Sequence, residues 1–120
     1  MNSNSILKSV KDLLGLNAEQ TNFDNQIIIH INAVFSDLNQ LGVGPEEGFS
    51  IIDDYTLWED YIADSKKFND VITYMYLKVK LVFDPPLSGT VIASIERTIK
   101  EIEWRLNVAA ETTEPVTEEE

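Results

Sequence analysis

Residues 83–106 read FDPPLSGTVIASIERTIKEIEWRL. Pro85 and Pro86 lack amide protons and fix their own φ, and each disfavours helical geometry in the residue before it, so a helix arriving through Val82 must stop there. Ser88, Gly89 and Thr90 supply capping chemistry for a new start. From that start Ile92, Ile95, Ile99, Ile102 and Leu106 recur at alternating spacings of three and four, which lines all five along one stripe of a helix spanning about residues 90 to 109. Burying five aliphatic side chains contributes on the order of 8 to 15 kcal/mol before entropy, so the stripe demands a covering surface, either within the domain or on a neighbouring subunit.

Upstream of the two prolines, apolar residues again recur with a helical period. Residues 5 to 14 predict a short amphipathic helix with Ser5 as N-cap, Ile6, Val10, Leu13 and Leu14 on one side, and Gly15 ending it. A second helix is predicted from Asp24 to Leu41 on Ile27, Ile28, Ile31, Val34, Phe35, Leu38 and Leu41, with Gly42 as its stop. The β-branched run Ile27, Ile28, Ile29 suggests a strand, but the helical period continues for four turns beyond it. Residues 42 to 52 read as a Gly/Pro-rich loop closing on Ile51 and Ile52, followed by a helix over about 54 to 64, capped by Asp53 or Asp54. A break near Ser65 precedes a fourth helix, about 66 to 82, whose apolar residues cover nearly its whole circumference. That pattern predicts a central position, with Lys66, Lys67, Lys78 and Lys80 reaching solvent on their long stems. The expected fold is all-α, a compact bundle of four to five helices, with residues 1–110 forming one domain and 111–120 a disordered acidic tail.

The 120 residues carry 21 acids against 9 Lys and Arg, a formal charge of −12. Nucleic-acid binding is driven by cations displacing counterions from phosphate, so this balance opposes it. Five of the acids lie in the tail, which leaves 16 against 9 through Ala110, and the folded body is acidic as well. There is no cysteine, which removes disulfides and thiolate chemistry. The polar start has no basic n-region or long apolar run, so neither a signal peptide nor a membrane span is expected.

No catalytic or metal-binding constellation is visible, and no cofactor is expected. His30 is the one histidine; it stands between Ile29 and Ile31 without a ligand-spaced partner and reads as an ordinary helix residue. Asp53, Asp54, Glu59 and Asp60 do not follow the spacing of a calcium loop and suit a helix start. Gly42-Val43-Gly44-Pro45 lacks a following Lys-Ser/Thr and runs into Glu46 and Glu47, which would repel phosphate. The aromatic residues Tyr55, Trp58, Tyr61, Phe68, Tyr74 and Tyr76 have no basic groove beside them and read as core with some interface. Trp104 falls off the isoleucine stripe among Lys100, Glu101 and Glu103, where a large indole marks either a contact between chains or packing on a neighbouring helix.

Taken in order, Ile6-Leu7-Lys8-Ser9-Val10-Lys11, the isoleucine-rich second helix, Trp58 to Tyr61, Tyr74-Met75, Phe83-Asp84-Pro85-Pro86 and Glu103-Trp104-Arg105-Leu106-Asn107 resemble the small head-tail connector (adaptor) proteins of tailed bacteriophages and prophages. The resemblance covers about residues 5 to 108. It implies a virion protein made in the host bacterial cytoplasm, without catalytic residues, that assembles as a ring under the portal protein. Such a ring extends the DNA channel and offers a platform for a stopper or tail-completion protein. DNA would pass without specific binding, since an acidic wall lets a polyanion slide. The candidate protein–protein contacts are Trp104, Phe83, Asp84, Pro85, Pro86 and Trp58, with the loop 42 to 52 and the turn 83 to 90 as candidate contact segments. A rival is an acidic DNA mimic that inhibits a nucleic-acid-binding enzyme, which would need carboxylates regularly spaced on one continuous face. A small helical enzyme or metal-binding protein is disfavoured by the scarcity of convergent ligands.

Overall fold

Helix-forming stretches separated by the stops at Gly15, Gly42 and Pro85-Pro86 give, in the computed structural model, α1 (Ile6–Leu13), α2 (Asp24–Gln40), α3 (Trp58–Tyr61), α4 (Phe68–Phe83) and α5 (Gly89–Thr113). The structure describes residues 5–17, 19–62 and 67–113, and among these there is no strand, only an isolated antiparallel bridge between Ser5 and Leu57. The all-α expectation holds.

Both of the first two stops work by the same chemistry. Gly15 and Gly42 adopt φ of +84° and +88°, a region closed to most side chains. In each case the glycine N–H and the next N–H turn back to helix carbonyls. Gly15 bonds Asp12 and Leu16 bonds Lys11, while Gly42 bonds Asn39 and Val43 bonds Leu38. This Schellman pattern satisfies carbonyls that the helix end would leave unpaired, and it carries Val43 into the core at 2 % exposure. At the other end of α1, the Ser5 hydroxyl accepts from the Lys8 N–H at 3.2 Å, the expected N-cap.

The core assembles around α4, which packs on α1, α2 and α5. Val71, Tyr74, Met75 and Val79 of α4 are completely buried, as the all-round apolar pattern requires, although Val82 in its last turn is exposed. Ile27, Ile31, Val34, Phe35 and Leu38 form the inner face of α2, so the β-branched run is helical and only its last residue, Ile29, is exposed. Phe35 anchors an aromatic cluster, its ring centroid 4.6 Å from that of Tyr61, 5.1 Å from that of Phe49 and 6.3 Å from that of Trp58.

The isoleucine stripe of α5 is covered by its own chain. Ile92 and Ile95 are half-buried, whereas Ile99, Ile102 and Leu106 are sealed against α4. Three polar links fasten this helix: Tyr74 Oη donates to Glu103 Oε2 at 2.8 Å, Arg105 pairs with Asp70 at 3.1 Å, and Asn107 Nδ2 donates to the Leu41 carbonyl at 3.4 Å. Because Arg105 near the end of α5 meets Asp70 near the start of α4, the two helices run antiparallel.

Several expectations need correction. The third helix is only four residues long, not eleven, because residues 51–57 form a bent, non-helical segment tied to α1 and α2. The Ile6 N–H donates to the Thr56 carbonyl, Ser5 Oγ donates to the Asp54 carbonyl, and the Asn32 side chain bonds both the N–H and the carbonyl of Ile51. Asp53 therefore caps a local turn through the Tyr55 N–H, and it is Asp60 that reaches back to the Leu57 N–H at the helix start. Leu13 is exposed, and its place on the inner side of α1 is taken by Leu7 and by Lys11, which is only 2 % exposed. Lys11 Nζ lies 2.8 Å from Asp24 Oδ1 and donates to the Gln20 carbonyl at 2.6 Å, so the buried ammonium ties α1 to the start of α2. The fifth helix runs to Thr113, a few residues past its expected end at about 109. The expected break at Ser65, Lys66 and the tail from Glu114 onward lie outside the described residues.

Candidate docking surfaces

Chemistry is thinly provided for. Among the described residues no group of three or more His, Asp or Glu side chains is placed to hold a metal ion. His30 is half-buried at the rim of an open hollow shared with Leu16, Phe23, Gln26, Val82, Phe83 and Asp84, a mostly apolar setting without a nucleophile beside it. Burial pushes the hydroxyls of Tyr61 and Tyr74 well above the ordinary tyrosine range, and for Tyr74 the acceptor Glu103 adds to the effect. Both rings are therefore neutral packing residues, each donating its hydroxyl, Tyr61 to the Val43 carbonyl and Tyr74 to Glu103.

The candidate contact residues fall into three places. Trp104 stands on the outward side of α5 with 68 % of its surface exposed, and Arg97, Lys100, Glu101 and Arg105 frame the hollow around its ring. These positions follow one another at helical spacings of three and four, so they belong to one face, opposite the isoleucine stripe. Packing within the chain leaves this indole in water.

Phe83, Asp84, Pro85 and Pro86 form the turn that leads into α5, whose start lies about 22 Å from Trp104 along a helix rising 1.5 Å per residue. Phe83 closes α4 and meets Phe23 edge-on at 5.5 Å. Asp84 ends the helix through its N–H to the Lys80 carbonyl, with Lys80 Nζ 3.7 Å from its carboxylate. Pro85 is exposed, Pro86 is half-buried, and the Ser88 hydroxyl accepts from the Val91 N–H to start α5. Leu87, inside the turn expected as a contact segment, is entirely exposed, and sequence reasoning missed the neighbours that extend it into an apolar end, Phe23, Val82 and Val91, all exposed. The signal was present in Leu87 and Val91, which flank the cap and lie off the buried stripe.

Trp58 occupies the third place, inside the chain at 3 % exposure. Its indole N–H donates to Ser9 Oγ at 2.8 Å, fastening α3 to α1. The Trp58 ring thus has almost no surface to offer another chain. The apolar residues exposed near it are Ile52 and Tyr55, at 84 % and 82 %. The sequence placed Ile52 with Ile51 and Tyr55 with the core aromatics. The Asn32 clamp on the backbone of Ile51 seats Ile51 in the core, and the bends at residues 52–54 leave Ile52 outside.

No helix among the described residues is long and apolar enough to cross a membrane. The sequence profile of a family described as phage connector protein matches residues 6–113, nearly all of the chain from α1 to the end of α5. Neither the curated proteins nor the solved structures returned a match.

Proposed function

The chain belongs to the phage connector protein family, a structural component of the virion, and from that premise we propose that it is a head-tail connector subunit that forms a ring under the portal. In this role it extends the DNA channel and presents a platform to a stopper or tail-completion protein. It acts by docking and catalyses no reaction.

The observation that carries the proposal is the pairing of a self-sufficient core with two separate exposed apolar surfaces, one partway along α5 and one at its start. The buried stripe and the three polar links hold α5 on α4 without help from another chain. Trp104 on the outward face of α5 and the cluster of Phe23, Val82, Leu87 and Val91 by its start are then left over for assembly. A subunit in a ring needs at least two different faces towards its neighbours, and one in a stacked assembly needs further surface above or below. DNA passing through such a ring meets a chain with 12 more acids than bases, which opposes sticking.

Mixing the purified full chain with cognate portal particles and imaging by electron microscopy tests this role. The expected result is an added layer of density at the exit face of the portal. Portal particles left unchanged at saturating chain concentration would refute it. The acidic DNA-mimic alternative gains no support, since Asp54, Asp24, Asp37, Asp70 and Asp84 are spent on ion pairs with the chain's own cations.

A further inference from the structure

We propose that the outward face of α5 around Trp104 docks on the segment around Ile52 and Tyr55 of a second copy of this chain. The inference deepens the connector role by naming both sides of the subunit contact, and it rests on self-assembly being part of that role.

Charge complementarity points to this occupant. Of the described cations, Lys8, Lys11, Lys78, Lys80 and Arg105 each have a carboxylate partner. Arg97 and Lys100, like Lys67, form no ion pair among the described residues, although the chain as a whole has a large excess of acid. They sit side by side with an exposed indole. A rim in which these two cations outnumber the one carboxylate, Glu101, around a large apolar ring is the composition of an interface anchor.

The complementary surface lies on the same molecule. From residue 31 to residue 65 the chain contains eight acids and no Lys or Arg. Within that stretch Ile52 and Tyr55 are exposed, with Asp53, Asp54, Glu59 and Asp60 close to them in sequence. Asp53 and Asp60 accept backbone N–H groups and form no ion pair among the described residues, whereas Asp54 pairs with Lys8. An apolar pair with an acidic rim thus faces outward on one side of the subunit, and an indole with a basic rim on another.

One copy cannot join its own two surfaces. The α5 helix packs on α4, whereas residues 51–57 are pinned to α1 through Ser5 and Ile6 and to α2 through Asn32. A contact between unlike faces leaves one free face on each partner, so it propagates until a rotation closes it into a ring.

The absence of cysteine makes the contact accessible to crosslinking. Two full-length variants, Ser50→Cys and Glu101→Cys, alter exposed positions beside the two surfaces. They are mixed, treated with a short bis-maleimide, and assayed both in concentrated solution and on portal particles. The expected product is a dimer joining the two variants, absent when either is treated alone. Its yield should fall about tenfold with Trp104→Ala, the loss typical of an anchor residue, and should fall as salt is raised. Glu101→Cys linking to itself would show a like-to-like contact and overturn the proposal, as would a yield indifferent to Trp104→Ala. No mixed dimer in either setting overturns it too, and if portal particles still gain density the connector role survives that failure. Mixed dimers without portal density would uphold the contact and sink the portal role. A variant ending at Thr113 addresses the other occupant. Trp58 is buried, so a red shift of indole emission on truncation would report Trp104 released from the chain's own acidic tail, and would also overturn the proposal.

Discussion

Trp104 and Lys11 show how far a side chain's role depends on what surrounds it. Trp104 is large and apolar yet two-thirds exposed, so folding gains little from it. Replacing it with alanine is expected to change the melting temperature by no more than an ordinary surface substitution, within about 0.5 kcal/mol, while weakening assembly on portal particles. Thermal melts and portal binding of the same variant check both halves. Lys11 is the converse, a cation sealed against Asp24 and the Gln20 carbonyl. Lys11→Ala is expected to cost about 2 to 4 kcal/mol in urea unfolding, because it strips the partner from a carboxylate that is three-quarters buried and empties a packed site. A loss below that range would mean that water reaches Asp24 easily.

The helix α5 carries two stripes with opposite fates, and each predicts its own response. Along the inner stripe burial deepens from Ile92 to Leu106, so Ile102→Ala should cost about 2 to 4 kcal/mol and Ile92→Ala clearly less, as read from urea melts. Equal costs would place the covering surface elsewhere. The α4–α5 contact also contains Tyr74, and the aromatic cluster contains Tyr61, both with hydroxyls held above the ordinary tyrosine pKa of 10. In the unfolded chain these hydroxyls ionise from about pH 10, whereas in the folded chain they do so later. The folded state then binds more protons, so stability is intact below pH 10 and falls as pH rises above it. Tyr61→Phe combined with Tyr74→Phe should flatten that decline in alkaline denaturation curves. The inner stripe, the caps at Ser5 and Gly42 and the central placing of α4 were legible in the sequence because they follow from periodicity and local backbone chemistry. The shortening of α3 was not. It depends on Asn32 and Ser5, residues 19 and 49 positions away from their partners, and no local pattern announces such long-range bonds. For the same reason Trp104 was legible as off-stripe, while the exposure of Ile52 and Tyr55 and the burial of Trp58 had to wait for tertiary structure.

At the scale of the whole molecule, one small helical body closes its own core and keeps its remaining apolar groups on the outside. Its charge is unevenly divided: the stretch 31–65 is purely acidic in its titrating side chains, whereas residues 66–110 hold seven bases against five acids. A polarised subunit of this kind suits head-to-tail association, and its assembly on portal particles is expected to weaken with ionic strength, measurable as the salt dependence of the bound fraction. The central claim is that the chain works by docking, with α5 held on its own core by one side and on a neighbour by the other. A cryo-electron-microscopy map of the chain bound to its portal tests this most directly. The account predicts a closed ring of helical subunits in which Trp104 is buried against the Ile52 and Tyr55 segment of the adjacent copy. Isolated subunits bound with Trp104 in solvent, or no bound density, would contradict it.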